Sequence, residues 1–126
     1  MNSVTMAFLG DAFFELSVRS RLAGSGRTYA ADRLHHAAVH YVKASSQAEV
    51  MRTMVSRGIL SEEESEVVRK ARNRKPKSLP KNADPLDYKL ATAFEALLGY
   101  HYFEGRTDRA EGLAKLAMEI IDEADD

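Results

Sequence analysis

Two acidic side chains lie in strongly apolar parts of the sequence. Asp11 belongs to the segment Phe-Leu-Gly-Asp-Ala-Phe-Phe-Glu-Leu at residues 8–16, and Glu95 belongs to Thr-Ala-Phe-Glu-Ala-Leu-Leu-Gly at residues 92–99. We expect Asp11 to be partly buried. Removing a carboxylate from water costs free energy unless a charged partner, a hydrogen bond or a metal ion satisfies it. These acids therefore need an explanation that ordinary surface acids do not.

A metal site is one explanation for the two acids. If the helices that carry them face each other, Asp11 and Glu95 would form a hard oxygen site suited to Mg²⁺ or Mn²⁺. Glu15 shares a helix face with Asp11, and Thr92 lies one turn before Glu95 on the same side. The alternative is that both acids are structural and are paired with an arginine or a helix end. The residues alone leave both interpretations open.

The segment from residue 69 to residue 81 is strongly basic, although the formal net charge of the chain is −1. It contains seven positive side chains and no acid, and it is interrupted by Pro76 and Pro80. Such a segment binds phosphates through its charge and through the release of counterions. The alternative is a solvated loop without a ligand. The positive residues are Arg69, Lys70, Arg72, Arg74, Lys75, Lys77 and Lys81.

The four histidines do not follow a familiar pattern for a metal-ligand triad. His36 and His40 are four residues apart and could share a ligand, but the chain has no cysteine and no third ligand at a usual spacing. Neutral histidines at a helix surface or at the edge of the core are the simpler interpretation, for these two and for His35 and His101. Nucleophilic-serine motifs, glycine-rich phosphate loops and nucleotide fingerprints are also absent from the sequence.

Length and composition indicate a single domain over residues 1–126. The chain is 44% hydrophobic, which is enough to build a core. The absence of cysteine excludes disulfides and thiol chemistry and is typical of a cytoplasmic protein. The first residues show no signal-peptide pattern, and no apolar run approaches the roughly 20 residues that span a bilayer. We therefore expect a cytoplasmic protein that does not enter a membrane.

The spacing of apolar residues predicts an all-α protein. Breaks are expected at glycines and in a proline-containing loop over residues 73–83, and residues 45–47 are expected to form a brief break or a helix cap. Asp11 and Glu95 would lie on the first and fifth helices. The predicted helices cover about residues 4–22, 29–43, 48–57, 61–72, 84–103, and 107 to near the C-terminus.

Three helix starts carry recognisable signals. The segment Ser61-Glu62-Glu63-Glu64 matches a capping box, in which the serine and the last glutamate bond to each other's backbone N–H groups. In Asp84-Pro85-Leu86-Asp87, the first aspartate fits the N-cap, the proline fits the first helical position, and the second aspartate fits the capping-box position. Thr107 is expected to cap the last helix.

The two acidic segments together resemble the signature motifs of ribonuclease III catalytic domains. Residues 8–16 resemble the signature helix, and residues 92–99 resemble the second acidic motif, in the same order and at a similar separation. The resemblance is closest to Mini-III ribonucleases, the small bacterial branch that lacks a double-stranded-RNA-binding domain. It extends over essentially the whole chain, with further matches at residues 41–48, 71–75 and 80–84.

This resemblance implies a homodimer with the ribonuclease III endonuclease-domain fold. Such a protein cleaves double-stranded RNA with Mg²⁺, which Mn²⁺ can replace, and leaves 5′-phosphate ends. Asp11 and Glu95 are then the catalytic and metal-binding residues. Thr92 supports them, and Glu15 either supports them or contacts the other subunit. Mini-III ribonucleases are associated with maturation of 23S ribosomal RNA, so the expected partners are precursor 23S rRNA and an assisting ribosomal protein. The expected RNA-binding residues are Arg72, Asn73, Arg74, Lys75, Lys77 and Lys81.

The chain departs from the full-length ribonuclease III pattern at three positions. That pattern has acids one and two turns before the signature aspartate, where this chain has Ala7 and Val4, and an aspartate where it has Thr92. The acid set is thereby reduced to Asp11 and Glu95, with water and substrate phosphate as the other ligands, which Mg²⁺ tolerates. The missing acids leave open the alternative of a non-catalytic RNA-binding or ribosome-assembly protein on the same fold. A purely structural helical interaction module is a third hypothesis.

Overall fold

The computed structural model describes residues 1–26, 30–76 and 78–125. Within them the chain forms six α-helices and no β-strand, which confirms the predicted all-α class. None of these helices is both long enough and apolar enough to span a bilayer. The helices are α1 (Ser3–Ala23), α2 (Ala31–Val42), α3 (Ala44–Ser56), α4 (Glu62–Asn73), α5 (Pro85–Phe103) and α6 (Thr107–Ala124).

Helix α5 lies at the centre of the fold. It packs against α1, α3, α4 and α6, and most of its side chains between Leu90 and His101 are buried. The ring of Phe94 packs edge-on against Phe14 of α1, with the ring centroids 5.1 Å apart. A helix that is buried on nearly all sides needs an apolar sequence all round. An acid such as Glu95 on this helix is therefore unusual.

Helices α1 and α5 cross with their backbones in direct contact. A Cβ atom at Gly10 would overlap the carbonyl oxygen of Glu95, and a Cβ atom at Gly99 would overlap the carbonyl oxygen of Met6. Only glycine fits at these two points, because any side chain would force the helices apart. The crossing therefore brings Asp11, which follows Gly10, close to the acidic residue of α5.

Two of the predicted helix starts are confirmed. At the start of α4, the hydroxyl of Ser61 accepts from the backbone N–H of Glu64 at 3.1 Å, and Glu64 Oε1 accepts from the backbone N–H of Ser61 at 2.9 Å. At the start of α5, Asp84 Oδ1 accepts from the backbone N–H groups of Leu86 and Asp87 at 2.9 and 3.1 Å. Proline occupies the first turn, as predicted.

The prediction of a brief break or a cap at residues 45–47 is wrong, because these residues lie in the first turn of α3 and Lys43 precedes that helix. The chain bends instead at Lys43, whose extended backbone, with ψ at 152°, ends α2 and precedes α3. The Ser46 hydroxyl donates to the backbone carbonyl of His40 at 2.7 Å. A polar side chain of this turn therefore joins the two helices rather than interrupting one.

The predicted cap at Thr107 and the predicted capping-box role of Asp87 are both wrong. Thr107 lies inside α6, and Arg106 precedes the helix without a side-chain cap. The backbone N–H of Arg106 donates to the carbonyl of His101 at 2.8 Å, which holds Arg106 outside the helix. Asp87 does not complete a capping box, because its carboxylate accepts from Arg52 Nη2 at 2.8 Å.

Candidate active site

A cleft of about 190 Å³ lies between the N-terminal half of α1, the end of α4 and the first half of α5. The two acids singled out in the sequence, Asp11 and Glu95, both line it. Each acid is carried by one of the two helices that cross at Gly10, so the crossing positions the pair. The other residues that line the cleft are Val4, Ala7, Phe8, Arg74, Tyr88 and Thr92.

Glu95 is the more buried of the two acids, and it is half-buried. Asp11 is exposed, so the expectation that it is partly buried is wrong; Gly10, its neighbour, is the residue that faces the backbone of α5. Burial raises the pKa of Glu95, and the negative charge of Asp11 raises it further, to about 8. A hydrogen bond from Gln47 Nε2 to Glu95 Oε2, at 3.4 Å, lowers that pKa in part.

The two acids have no cationic partner within the described residues, where every ion pair involves other carboxylates. When both Asp11 and Glu95 are ionised, two negative charges face each other in a partly dehydrated cleft. That arrangement is unfavourable, and a bound cation would relieve it. The structural alternative, in which each acid is paired with an arginine, therefore does not describe these two carboxylates in this part of the chain.

The donor set fits a hard divalent cation through two protein ligands. Carboxylate oxygens are the ligands that Mg²⁺ and Mn²⁺ prefer, and Mg²⁺ commonly keeps several waters beside one or two carboxylates. Within the described residues, no group of three or more His, Asp or Glu side chains is placed to hold a metal ion. Val4 and Ala7, where further acids would have been expected, give the cleft apolar walls. Water and substrate would have to complete the coordination.

Of the two residues predicted to support the acids, only Thr92 lines the cleft. Its hydroxyl donates to the backbone carbonyl of Tyr88 at 2.9 Å. Glu15 is not part of the lining, and its carboxylate accepts from Arg19 Nε at 3.2 Å. The charge of Glu15 still contributes to the raised pKa of Glu95. Thr92 therefore shapes the cleft, whereas Glu15 acts on it only at longer range.

The basic segment, residues 69–81, is partly compensated in the folded chain. Arg69 and Lys70 pair with Glu66, at 2.6 and 4.0 Å, so their charges are not available in full. Arg74 lines the cleft beside the two acids. Lys77 lies outside the described residues. The other predicted RNA-binding residues are exposed and form no ion pair in the part of the chain that is described: Arg72, Asn73, Lys75 and Lys81.

A buried carboxylate, Glu64, lies near the C-terminal end of α5. It accepts from Arg109 Nε and Nη2 at 2.8 and 2.9 Å, and from His101 Nε2 at 2.6 Å. His101 Nδ1 accepts from Arg106 Nε at 3.0 Å, which places the imidazole proton on Nε2. Hydrogen bonds from Arg109, from the Ser61 backbone and from His101 lower the pKa of Glu64 to about 2. This cluster is satisfied within the protein.

The histidines lie at a helix surface or in the core, in agreement with the simpler interpretation of the sequence. His101 is buried against Glu64, and His40 Nε2 lies 2.8 Å from Asp125 Oδ2. His35 and His36 are exposed. Within the described residues, none of them joins a group that could hold a metal ion.

Sequence reasoning missed Gly10 and Gln47. A glycine inside an apolar helix weakens the helix, so its presence signals a close backbone approach, and Gly10 could have been recognised by that sign. Gln47 is the polar member of the buried face of α3, at helical spacing from Met51 and Met54. A polar residue at an otherwise apolar position indicates a buried polar partner, which here is Glu95.

Comparison with known proteins gives a consistent set of relatives. The family model for the ribonuclease III domain matches residues 4–106. The Mini-ribonuclease 3 of Brevibacillus brevis is 43% identical over 121 residues, which cover 96% of this chain and 88% of that protein. The Mini-ribonuclease 3 of Symbiobacterium thermophilum is 40% identical over 119 residues, with 94% and 89% coverage. An X-ray crystal structure of a Fusobacterium nucleatum protein is 26% identical, with a TM-score of 0.82 over 94% of this chain and 93% of that one.

Proposed function

The chain belongs to the ribonuclease III family, in its Mini-ribonuclease 3 branch, and we propose that it is an endoribonuclease that cleaves double-stranded RNA with Mg²⁺, which Mn²⁺ can replace. The observation that carries this proposal is the pair formed by Asp11 and Glu95. These carboxylates come from two helices in backbone contact, share a cleft, and have no cationic partner in the described residues. No other pair of acids among residues 1–26, 30–76 and 78–125 shows this combination.

Asp11 and Glu95 would hold the cation through their carboxylate oxygens. A bound Mg²⁺ polarises a phosphate and lowers the pKa of a water molecule that can attack phosphorus. Glu95 must lose its proton to bind a cation, so protons and metal compete for this carboxylate. Arg74 lines the same cleft, and its guanidinium would contact the phosphate of the substrate. By resemblance, the products carry 5′-phosphate and 3′-hydroxyl ends.

The basic segment would bind the RNA backbone. A-form RNA is recognised mainly through its shape, its phosphates and its 2′-hydroxyls, so exposed cations next to the cleft suit this substrate. Replacing Arg72, Lys75 and Lys81 together by alanine should raise KM for duplex RNA and weaken its salt dependence. Replacing Arg69 and Lys70, which are paired with Glu66, should have the smaller effect. A triple variant with unchanged RNA binding would support a purely structural module.

A homodimer would bring two clefts to one duplex, so that each subunit cuts one strand. A stripe of apolar residues on α1, at four-residue spacing, supports this proposal: Val4, Phe8, Ala12 and Leu16 are all exposed, Phe8 and Leu16 to 81% and 65%. A large exposed apolar surface of this kind is typical of an interaction site. Sedimentation of wild type and Leu16→Glu tests it, because the charged side chain should yield monomers.

The specific substrate we propose is a 23S ribosomal RNA precursor, in the cytoplasm. This follows the association of Mini-III ribonucleases with 23S maturation. Contacts to phosphates position a protein on a duplex but carry no sequence information. Selection of the cleavage site would therefore depend on the folded precursor or on a ribosomal protein bound to it. Processing of precursor 23S RNA, with and without its ribosomal proteins, tests this step.

The proposed activity is tested with purified protein and duplex RNA, with and without Mg²⁺. Wild type should cleave only with Mg²⁺ or Mn²⁺. Asp11→Asn should keep the fold, the oligomeric state and RNA binding but lose cleavage, because the amide is a poor ligand for a hard cation. Cleavage by Asp11→Asn at the wild-type rate with Mg²⁺ would contradict the assignment of Asp11 as a metal-binding catalytic residue.

A non-catalytic RNA-binding or ribosome-assembly protein is the second candidate. The apolar side chains of Val4 and Ala7 in the cleft favour it, because they reduce the number of acids available to a metal. The cleavage assay with duplex RNA separates this second candidate from the first. Wild type would bind duplex RNA, and Mg²⁺ would produce no cleavage.

A further inference from the structure

Gln47 is a buried polar residue that the proposed mechanism does not use. Its side chain lies on α3 and is 2% exposed. The Nε2 group donates to the backbone carbonyl of Val42 at 2.7 Å and to Glu95 Oε2 at 3.4 Å. Its Oε1 atom is buried and has no hydrogen-bond partner among the described residues. Because both neighbours of Nε2 are acceptors, the amide cannot be flipped without placing oxygen against oxygen.

A purely structural role explains only part of this arrangement. The bond to Val42 joins α3 to the end of α2, but Ser46 already makes such a bond to His40 at the same junction. An amide used only for this purpose would leave Oε1 unsatisfied, which is unfavourable in a core. Leucine or methionine would fill the same space without that penalty. The second contact, to Glu95, is therefore the informative one.

We propose that Gln47 is a positioning residue of the metal site, which holds the Glu95 carboxylate towards the cleft through Nε2 and accepts a hydrogen bond from water at the site through Oε1. This inference rests on the proposed function, in which Glu95 binds the cation. Groups that bond to metal-ligating side chains fix their orientation, and their loss typically weakens metal affinity or activity by about 10- to 100-fold. Gln47 is the uncharged side chain that reaches Glu95 from another helix.

The test compares Gln47→Leu with Ser46→Ala. The first variant removes the contact to Glu95 together with the contact to α2, whereas the second removes only a contact to α2. Mn²⁺ binding is measured by titration calorimetry, and thermal unfolding of the same samples reports on the junction. Gln47→Leu should bind Mn²⁺ about tenfold more weakly than wild type. Ser46→Ala should bind Mn²⁺ as wild type does, whatever its change in Tm.

Cleavage kinetics provide the second readout. Gln47→Leu should lower kcat by about tenfold or more and leave KM for duplex RNA within about twofold, because the Gln47 side chain is buried and does not contribute to the exposed surface. If the leucine variant fails to fold, Gln47→Met, which is closer in length and also lacks the donor, replaces it with the same expected results.

Failure of this inference can be told apart from failure of the proposed function. Equal Mn²⁺ affinities of wild type and Gln47→Leu would overturn the role of Gln47, even if wild type cleaves RNA. A wild type that binds Mn²⁺ but does not cleave RNA would refute the proposed function. In that case a weaker affinity of Gln47→Leu would still support the role of Gln47. Absence of Mn²⁺ binding by wild type would overturn both.

Discussion

Glu64 and Glu95 are carboxylates on or against the same central helix, yet their surroundings are opposite. Glu64 accepts hydrogen bonds from Arg109, from His101 and from the Ser61 backbone, which lower its pKa to about 2. Glu95 faces another carboxylate, and its pKa is raised to about 8. The protein itself stabilises the anionic form of Glu64, whereas Glu95 must be neutralised by a proton or a bound cation.

This difference separates a structural acid from a functional one by physical criteria. Glu64 is buried and Glu95 is half-buried, so both side chains lose part of their contact with water. The distinction lies in whether the protein itself supplies the compensating charge. Around Glu64 it does so with Arg109, which comes from a third helix, α6. Around Glu95, within the described residues, it supplies only the amide of Gln47.

The largest expected effect is the loss of cleavage in Glu95→Gln. The amide is nearly isosteric and can still accept from Gln47, but it lacks the charge that a divalent cation requires. Single-turnover cleavage of duplex RNA with Mg²⁺ should be slower by about 10³-fold, which corresponds to about 4 kcal/mol in the barrier. A rate within about tenfold of wild type would show that Glu95 is not a metal ligand.

The next largest effect is a loss of stability at Gly10, where α1 and α5 cross and bring the two acids together. Gly10→Ala should lower the free energy of unfolding by about 3 kcal/mol or more, because its Cβ would overlap the backbone of α5. The matched control is Gly112→Ala in α6, where a Cβ would meet nothing within 4 Å. That change should be stabilising by about 0.5–1 kcal/mol, since alanine favours a helix more than glycine does.

Urea denaturation of the two glycine variants measures these free energies. Opposite signs for Gly10→Ala and Gly112→Ala would support the direct contact between α1 and α5. A mild effect of Gly10→Ala, similar in size to that of Gly112→Ala, would contradict the close crossing that places Asp11 beside Glu95.

Glu64→Gln should destabilise the fold, as Gly10→Ala does, but should not reduce RNA cleavage as Glu95→Gln does. Removing this charge leaves Arg109 partly unpaired beside a buried amide, which should lower the free energy of unfolding by about 3 kcal/mol. Cleavage per folded molecule should stay within about twofold of wild type, because Glu64 does not line the cleft. Denaturation and cleavage are measured on the same preparation. A stable but inactive variant would reverse the roles assigned to the two glutamates.

The two glutamates should also give opposite dependences of stability on pH. The pKa of Glu95 is raised from 4.5 to about 8, so its contribution to stability is present below about pH 4.5 and is lost as the pH rises towards 8. The pKa of Glu64 is lowered, so its contribution is present above about pH 4.5 and is lost as the pH falls towards 2.

The variant Glu95→Gln removes the contribution of Glu95 to the pH dependence of stability and leaves that of Glu64. Relative to wild type, the free energy of unfolding of the variant should rise by about 4 kcal/mol as the pH increases from about 4.5 to about 8 in the absence of metal. Added Mg²⁺ should remove most of this gain by stabilising wild type. A difference between the two proteins that does not change with pH would contradict the raised pKa.

Local signals made the helices predictable from the sequence and singled out both acids as candidates. Ser61 and Asp84 mark helix starts through hydrogen bonds within three residues, which a sequence displays directly. Asp11 and Glu95 were recognisable because a charged residue in an apolar helix requires a partner. These features depend on neighbours in the chain and not on how the helices pack.

The features that could not be predicted depend on distant contacts. Glu64 was recognisable as part of a capping box, but its pairing with Arg109 spans 45 positions in the sequence. Which of the two acids is the more buried depends on the crossing at Gly10. The contact of Gln47 with Glu95 spans 48 positions and joins two helices that are not consecutive. Sequence patterns show which faces are apolar but not which residues meet across them.

The most direct test follows the side-chain carboxyl carbon of Glu95 by carbon-13 NMR as the pH is varied, with and without Mg²⁺. Without metal, Glu95 should titrate near pH 8. With Mg²⁺ its titration should move to lower pH, while Glu64, which serves as the internal control, should not respond to the ion. A Glu95 carboxyl that titrates near its ordinary value of 4.5, or one that Mg²⁺ leaves unchanged, would contradict an uncompensated carboxylate pair that binds a divalent cation.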